Sequence, residues 1–549
     1  MTEIVFVSDF FINEVNGGAE HYNDVLISLL KDKYIVTPVK SNEVTINFLN
    51  SKKHAFFIVA NFFQLSYKAT NKLIGEFDYA ILEHDHKYSK TNNPSRFVNF
   101  FIPETHVINR EFFRNARAIL CQSKIHSEVV QKNLFLNNVC NLGGNLWSEY
   151  QLSVLEKNMH NEKTVDHGIM WTMNKNKGAP FAVEYCKKNN LSYKLLHNKK
   201  FEEFVKELSQ VRKLVFFPQW LESYCRVVIE AKILGCKLIS NGLLGVASED
   251  YFKQSGQELL DTIRSNNKML YNKWISVIEN NNIEYVNPIQ IPKITILGTF
   301  YNGDKHIRGF LENITSQTIF DRCELILIDA NSPGNEKQII DEYTEKYDNI
   351  IYKRLDYRAT TGESFNLGIE MSTGEFLTLG LIDDRRRKDG LEMLAKHLMF
   401  TPSVDLVYGD CFETAIANET FEKNSSKGKL YEHSIKPFSK ENMIKCLPGP
   451  MPLWRRSMNE KHGMFDVTFD FADDWELWLR SVDAGSKFKK VNKPVGLYLK
   501  GGRSQSDKLN IKQKLEESDL FFKYSHLFGK NYKLFKDYFT QFRRLKDVK

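Results

Sequence analysis

The feature that most constrains this chain is a recurring unit. It is a short, almost unbroken apolar run that ends in polar or acidic residues and is followed by a helical or loop segment. IVFVSD (4–9), ELILID (324–329) and EFLTLGLIDD (375–384) show it most plainly. A strand that is apolar at nearly every position is buried on both faces, which happens when helices cover a parallel sheet. YIVTPV, AFFIVA and YAILEH extend the pattern near the start of the chain. HGIMWTMNKNKGAP, KLLHNKK, KLVFFP and KLISN form a second group, with the helix CRVVIEAKIL between the last two. KITILGTFYN, ELILIDANS, NIIYKRL and EFLTLGLID form a third. No solenoid-type repeat is present.

The expected architecture is therefore α/β throughout, in four segments: 1–164, 165–290, 291–506 and 507–549. The second closes on a polar, Asn-rich helix that leads to Pro292. The last is a basic, helical tail with the aromatic stretch FFKYSHLFGKNYKLFKDYF. The tail reads as a helix pair docked on the preceding sheet. A chain of 549 residues has room for several domains. Its net charge of +7 permits an anionic partner without demanding one. The eight cysteines include no C-x-x-C pair, which argues for reduced thiols in the cytoplasm and against a disulfide framework or a zinc site. MTEIVFVSDFF lacks the basic start of a signal peptide. No apolar run approaches the roughly 20 residues that span a bilayer, which argues against a synthase that extrudes its own product. Oligomeric state is not legible.

The candidate chemistry is carboxylate chemistry. Asp329 closes an apolar strand, and ligands bind at the carboxyl edge of an open α/β sheet. Asp383 and Asp384 close another. Such a pair can hold Mg²⁺ or Mn²⁺ together with substrate phosphates, and the neighbouring Arg385, Arg386 and Arg387 could add phosphate contacts. Asp473 and Asp474 in FADDWELWLR stand at a helix start, where a carboxylate is favoured in any protein and can also act as a general base. In the first half, Gly17 and Gly18 lie between a strand and a helix, where backbone approaches a ligand closely. Glu222 and Glu230 flank the entry and second turn of CRVVIEAKIL. His84, Asp85 and His86 cluster in EHDHKY.

Order and context tie the later motifs together. TILGTFYN with Thr299, LILIDANS, TTGESFNLGIEMSTGEFLTL, LIDD, VDLVYGD, LPGPMPLWRRS and FADDWELWLR resemble, in sequence order, glycosyltransferase family two, the inverting GT-A enzymes. The resemblance covers about 293 to 506 and implies a nucleotide-diphospho-sugar donor. It places Thr299, Asp329 and Asp383 on the nucleotide sugar, Asp383 and Asp384 on the metal, and Asp474, with Asp473 beside it, at the catalytic base. Leu381, Ala330 and Gly501 stand where that family often has Asp, Asp and His.

FFPQWLESYCRVVIEAKILGCKLIS resembles the E-x7-E region of glycosyltransferase family four, a retaining GT-B family built from two Rossmann-like domains. NGGAE and NKNKGAP resemble its first loop and its phosphate-binding turn. The likeness implies donor contacts from Gly17, Gly18, Lys177 and Glu230 and a catalytic role for Glu222, with Thr172 in place of a phosphate-binding Arg. GGAE with EHDHKY also resembles glycosyltransferases of large tailed phages, which would place the chain in the host cytoplasm. The expectation is a bifunctional glycosyltransferase acting on a glycan, a lipid-linked sugar or another hydroxyl. Two alternatives stay open: the acceptor is a modified base in phage DNA, with the basic tail holding the polyanion, or one module is degenerate and only binds substrate.

Overall fold

The computed structural model describes residues 3–197, 199–500 and 511–546. Gly501 and part of the tail segment fall outside the described residues. The chain divides into two compact units, Met1–Ile289 and Gln290–Lys549.

The first unit carries two parallel sheets. In the six-stranded sheet the order is Ile35–Lys40, Glu3–Ser8, Phe56–Val59, Tyr79–Leu82, Ala118–Cys121, Val139–Asn141. Alternate residues along its central strands feed two separate cores. Val5, Val7, Phe57, Val59, Ile81 and Ile119 line one face, and Ile4, Phe6, Phe56, Ile58, Ala80 and Leu120 the other. Burial on both faces is why these strands read as continuous apolar runs. Pro38, which has no N–H to give a ladder, sits on the edge strand. The four-stranded sheet has the order Lys237–Ser240, Val211–Phe216, Val165–Trp171, Lys194–His197. The strands at Ala118 and Val139 lie in stretches that carry no strong sequence signal.

The helix Gly256–Ile278 joins the two sheets of this unit. Leu259, Leu260 and Ile263 pack on the core of the four-stranded sheet, whereas Leu270, Trp274, Val277 and Ile278 pack on that of the six-stranded one. Its apolar stripe is thus divided between two cores. Trp274 is fully buried and donates through Nε1 to the Tyr22 hydroxyl at 2.8 Å. Arg117 donates to the last-turn carbonyls of Val277 and Ile278 at 3.0 and 2.8 Å, satisfying groups that a helix end leaves open.

The second unit is built on one eight-stranded sheet, ordered Ile350–Arg354, Cys323–Asp329, Ile294–Phe300, Phe376–Leu381, Leu453–Arg455, Leu406–Thr414, Phe488–Leu499, Arg385–Arg386. The first four strands are parallel, and Leu453–Arg455 runs against them. Ile294–Phe300 lies between the second and fourth strands of that parallel set. Chain order reverses there, which opens a crevice at the strand ends. The tail helices Ile511–Lys523 and Gly529–Lys546 dock on this unit, where Leu520, Phe521, Tyr524, Phe528 and Phe539 join the core that holds Trp454 and Trp478.

Trp274→Ala removes a shared anchor of the first unit. It should lower that unit's stability by about 3–5 kcal/mol, read as a shifted urea transition, with little change in the second unit.

Candidate functional site

In the second unit the sequence-selected residues gather at the carboxyl ends of the parallel strands. Thr299 stands opposite Leu381 in neighbouring strands, and Asp329 opposite Phe300. Asp329 is fully buried. Its Oδ1 accepts the Ser332 N–H at 2.7 Å, its Oδ2 accepts the Tyr352 hydroxyl at 2.8 Å, and Arg354 lies 3.5 Å away. Asp329 thus also ties the strand end to the turn that follows it.

Asp383 and Asp384 lie in the turn after Phe376–Leu381. Asp383 is half-buried. Asp384 is buried: Oδ1 accepts the Leu499 N–H at 3.1 Å, and Oδ2 has no partner. Burial, and then the neighbouring Asp383, push the Asp384 carboxyl well above the usual range. A cation is the natural complement of such a pair. Among the described residues no group of three or more His, Cys, Asp or Glu side chains could hold one. The pair alone therefore suits a hard ion that takes its remaining ligands from phosphate and water. His306, on the helix Asp304–Thr315, is near enough to feel the Asp383 charge, although burial lowers its own proton affinity.

The three arginines that follow, expected to contact phosphate, are engaged within the chain. Arg385 donates to the carbonyls of Ile382, Asp384 and His306 and to Asn418. Arg386 is buried against Thr378 Oγ1 and the Leu379 carbonyl, both at 2.7 Å. Arg387 pairs with Asp389 at 2.6 Å. Arg385 and Arg386 form a strand antiparallel to Phe488–Leu499, and both side chains are buried.

Asp473 and Asp474 open the helix Asp473–Asp483. Asp473 Oδ1 accepts the Asp474 N–H at 2.9 Å, and Asp474 Oδ1 accepts the Trp475 N–H at 2.6 Å. The two carboxylates therefore cap the first turn themselves, the residue before them being an alanine. Asp473 is buried with Oδ2 unpartnered, and a Cβ at Gly362 would sit 3.1 Å from that atom. Asp474 is the more accessible of the two, and its Oδ2 accepts the Cys446 thiol at 3.3 Å. Burial, then the charge of its neighbour, raises Asp473 to about 8, and burial also raises Asp474. Tyr431 lies within electrostatic reach of both Asp474 and Asp384. Neither Tyr431 nor Cys446 stands out in the sequence, because a lone aromatic or thiol in a loop has no pattern.

In the first unit, Gly17, Gly18, Lys177, Glu222 and Glu230 line one cavity of about 670 Å³, together with His84, Asp85, His86 and Arg226. Gly178 has φ +69°, and a Cβ there would collide with the Phe217 carbonyl oxygen, so the turn carrying Lys177 requires glycine. Lys177 Nζ contacts both oxygens of Glu222, at 2.9 and 2.7 Å. Burial pulls the Lys177 ammonium down, but Glu222 more than offsets this and its proton affinity rises.

The two glutamates do not share a helix. The helix is Arg226–Ile233, and Glu222 instead bridges to Leu244, because Cys225 at φ +92° breaks the chain between them. Glu230 accepts Trp147 Nε1 at 3.1 Å, lies 3.6 Å from Arg226, and is raised by burial. Arg226 also binds Asn145 at 2.8 Å and lies over the Trp147 ring at 4.4 Å. A cation in an otherwise apolar helix turn was the available sequence signal for Arg226. Burial lowers His84 to about 3 and His86 to about 4, so both are neutral near pH 7. Thr172 lines the same cavity and accepts the Asn174 N–H at 3.2 Å. All eight cysteines are free thiols. Among the described residues no helix is long and apolar enough to cross a membrane.

Residues 295–463 match the glycosyl transferase family 2 model. Among curated relatives, the uncharacterized glycosyltransferase MJ1057 of Methanocaldococcus jannaschii is 23% identical over 195 residues, which is 35% of this chain and 65% of the relative. Glycosyltransferase GlyG of Streptococcus pneumoniae is 24% identical over 119 residues, 22% of this chain and 39% of that protein. Of solved structures, S. aureus TarS 1–349 in complex with UDP is 16% identical with a TM-score of 0.35, covering 42% of this chain and 65% of that one. The chain thus spans less than two thirds of the length of these relatives. Family match and relatives agree on one stretch: residues 295–463 of the second unit match glycosyl transferase family 2, and the curated relatives named here are glycosyltransferases.

Proposed function

We propose that the second unit transfers a sugar from a nucleotide-diphospho-sugar to an acceptor hydroxyl with inversion. The observation that carries this reading is the pair of buried, unpartnered carboxylate oxygens, Asp384 Oδ2 and Asp473 Oδ2, in centres that share Tyr431. Asp383 and Asp384 would hold Mg²⁺ or Mn²⁺. When bound, such an ion neutralises the departing diphosphate. Thr299 and the strand end at Asp329 border the nucleotide. Asp474, the more accessible carboxylate of its pair, takes the proton of the acceptor hydroxyl as that oxygen attacks the anomeric carbon. Asp473 beside it disfavours a second negative charge, which raises the pair and strengthens it as a base near neutral pH. In this reading 291–506 is the GT-A module.

The first unit, read as segments 1–164 and 165–290, is proposed as a GT-B-like module. Its cavity places Lys177 and Arg226, both cationic, beside Glu222 and Glu230, with the Gly17–Gly18 backbone at the start of the helix Gly18–Lys31. That set suits a second nucleotide sugar, transferred with retention. One observation favours a different role, in which this unit binds a donor without turning it over: Lys177 and Glu222 already saturate each other. The acceptor is proposed as a glycan or lipid-linked hydroxyl rather than duplex DNA, because Phe521, Tyr524, Phe528 and Phe539 of the tail are spent on the core of the second unit.

Asp474→Asn should lower kcat of the second unit by ~10²–10⁴-fold while nucleotide binding, followed by calorimetry, persists. A base must be unprotonated to act, and both carboxyls are raised. Activity should therefore be lost, as pH falls, at a pH above that of an ordinary carboxylate, which a kcat–pH profile will show. A chelator should stop transfer by the second unit and spare any by the first. Glu222→Ala should abolish metal-independent transfer if the first unit turns over, and leave total transfer unchanged if it only binds.

A further inference from the structure

The carboxylate pair at Asp473–Asp474 is held in place from another part of the chain. Three backbone N–H groups run just ahead of it, on Asp470, Phe471 and Ala472. All three point at one side chain, Glu516, in the tail helix Ile511–Lys523. Glu516 Oε1 accepts from Asp470 at 3.1 Å, and Oε2 accepts from Phe471 at 2.9 Å and Ala472 at 3.2 Å. Glu516 is only 8% exposed, so these charge-assisted bonds form with little competition from water. Buried N–H groups require partners, and Ala472 has no side chain that could cap the helix behind it.

The same tail helix is fixed nearby by two further contacts. Tyr524 donates to Glu476 Oε1 at 3.1 Å, and Leu520 and Phe521 sit in the core beside Trp475 and Trp478. A Cβ at Gly362 would sit 3.1 Å from Asp473 Oδ2, so glycine there leaves that oxygen its room. A loop held at three successive amides cannot shift without carrying Asp473 and Asp474 with it. Positional errors near 1 Å at a reacting group can cost about 10²-fold in rate.

We propose that Glu516 is a positioning residue for the Asp473–Asp474 pair, which makes the C-terminal helix a working part of the transfer site and not merely a cover on the sheet. The proposal rests on the reading of Asp474 as the base.

The test uses the full chain and four variants: Glu516→Ala, Glu516→Gln, Leu520→Ala as a packing control on the same helix, and Asp474→Asn. Two quantities are read. One is hydrogen exchange of the amides in segment 466–476. The other is nucleotide release, assayed separately with UDP-glucose, UDP-GlcNAc and GDP-mannose in the presence of Mn²⁺. Glu516→Ala should speed exchange at 470–472 and lower kcat by roughly 30-fold, with the donor KM changed by less than about twofold. Glu516→Gln keeps one acceptor oxygen and should fall between wild type and the alanine variant. Leu520→Ala should lower Tm without singling out the 470–472 amides.

Unchanged exchange at 470–472 in Glu516→Ala would overturn the proposal whether or not any donor is turned over. So would a kcat equal to wild type in a chain whose Asp474→Asn variant is inactive. Full transfer by Asp474→Asn would instead remove the base assignment, and the positioning role with it, while the exchange data would still report the clamp.

Discussion

Carboxylates buried with an oxygen left unpaired are the constraint around which the second unit is arranged. Asp384 and Asp473 each keep one such atom, and each sits beside a second carboxylate. Burying charge this way is costly unless something arrives to compensate it. Burial raises both groups. A cation and diphosphate on one side, and an acceptor hydroxyl on the other, would meet the two deficits. The rest of the unit keeps the deficits in place: the strand reversal that opens the crevice, Asp329 locked to Ser332 and Tyr352, and Arg385 and Arg386 turned inward to brace the loop.

The two units handle charge differently. In the first, opposite charges have found each other: Lys177 pairs with Glu222, and Arg226 with Glu230. Its cavity is lined by neutral histidines and by glycines that let backbone come close. A ligand there must compete with ion pairs already made. In the second unit a ligand completes pairs that are still lacking.

Much of this was legible in the sequence, for physical reasons that can be named. Strands buried on both faces left apolar runs, and their carboxyl ends left acidic residues. That marked Asp329, Asp383 and Asp384 as strand-end carboxylates, while Asp473 and Asp474 were legible as acidic residues at the start of the helix Asp473–Asp483. The role of the arginines after Asp384 was not legible. Charge runs are usually solvated, and the burial of Arg385 and Arg386 depends on partners elsewhere in the fold. The helix break at Cys225 was equally hidden, because a non-glycine residue in the left-handed region carries no local signature. Long-range contacts such as Glu516 on the 470–472 amides, or Trp274 on Tyr22, depend on the assembled fold and leave no spacing rule.

The most direct test of the central claim is the anomeric configuration of the product formed by the full chain carrying Glu222→Ala, read by proton NMR from the coupling of the transferred sugar's anomeric hydrogen. An attacking hydroxyl deprotonated by Asp474 displaces the diphosphate from the opposite face, so an α-linked donor should give a β-linked product. An α-linked product would contradict the account.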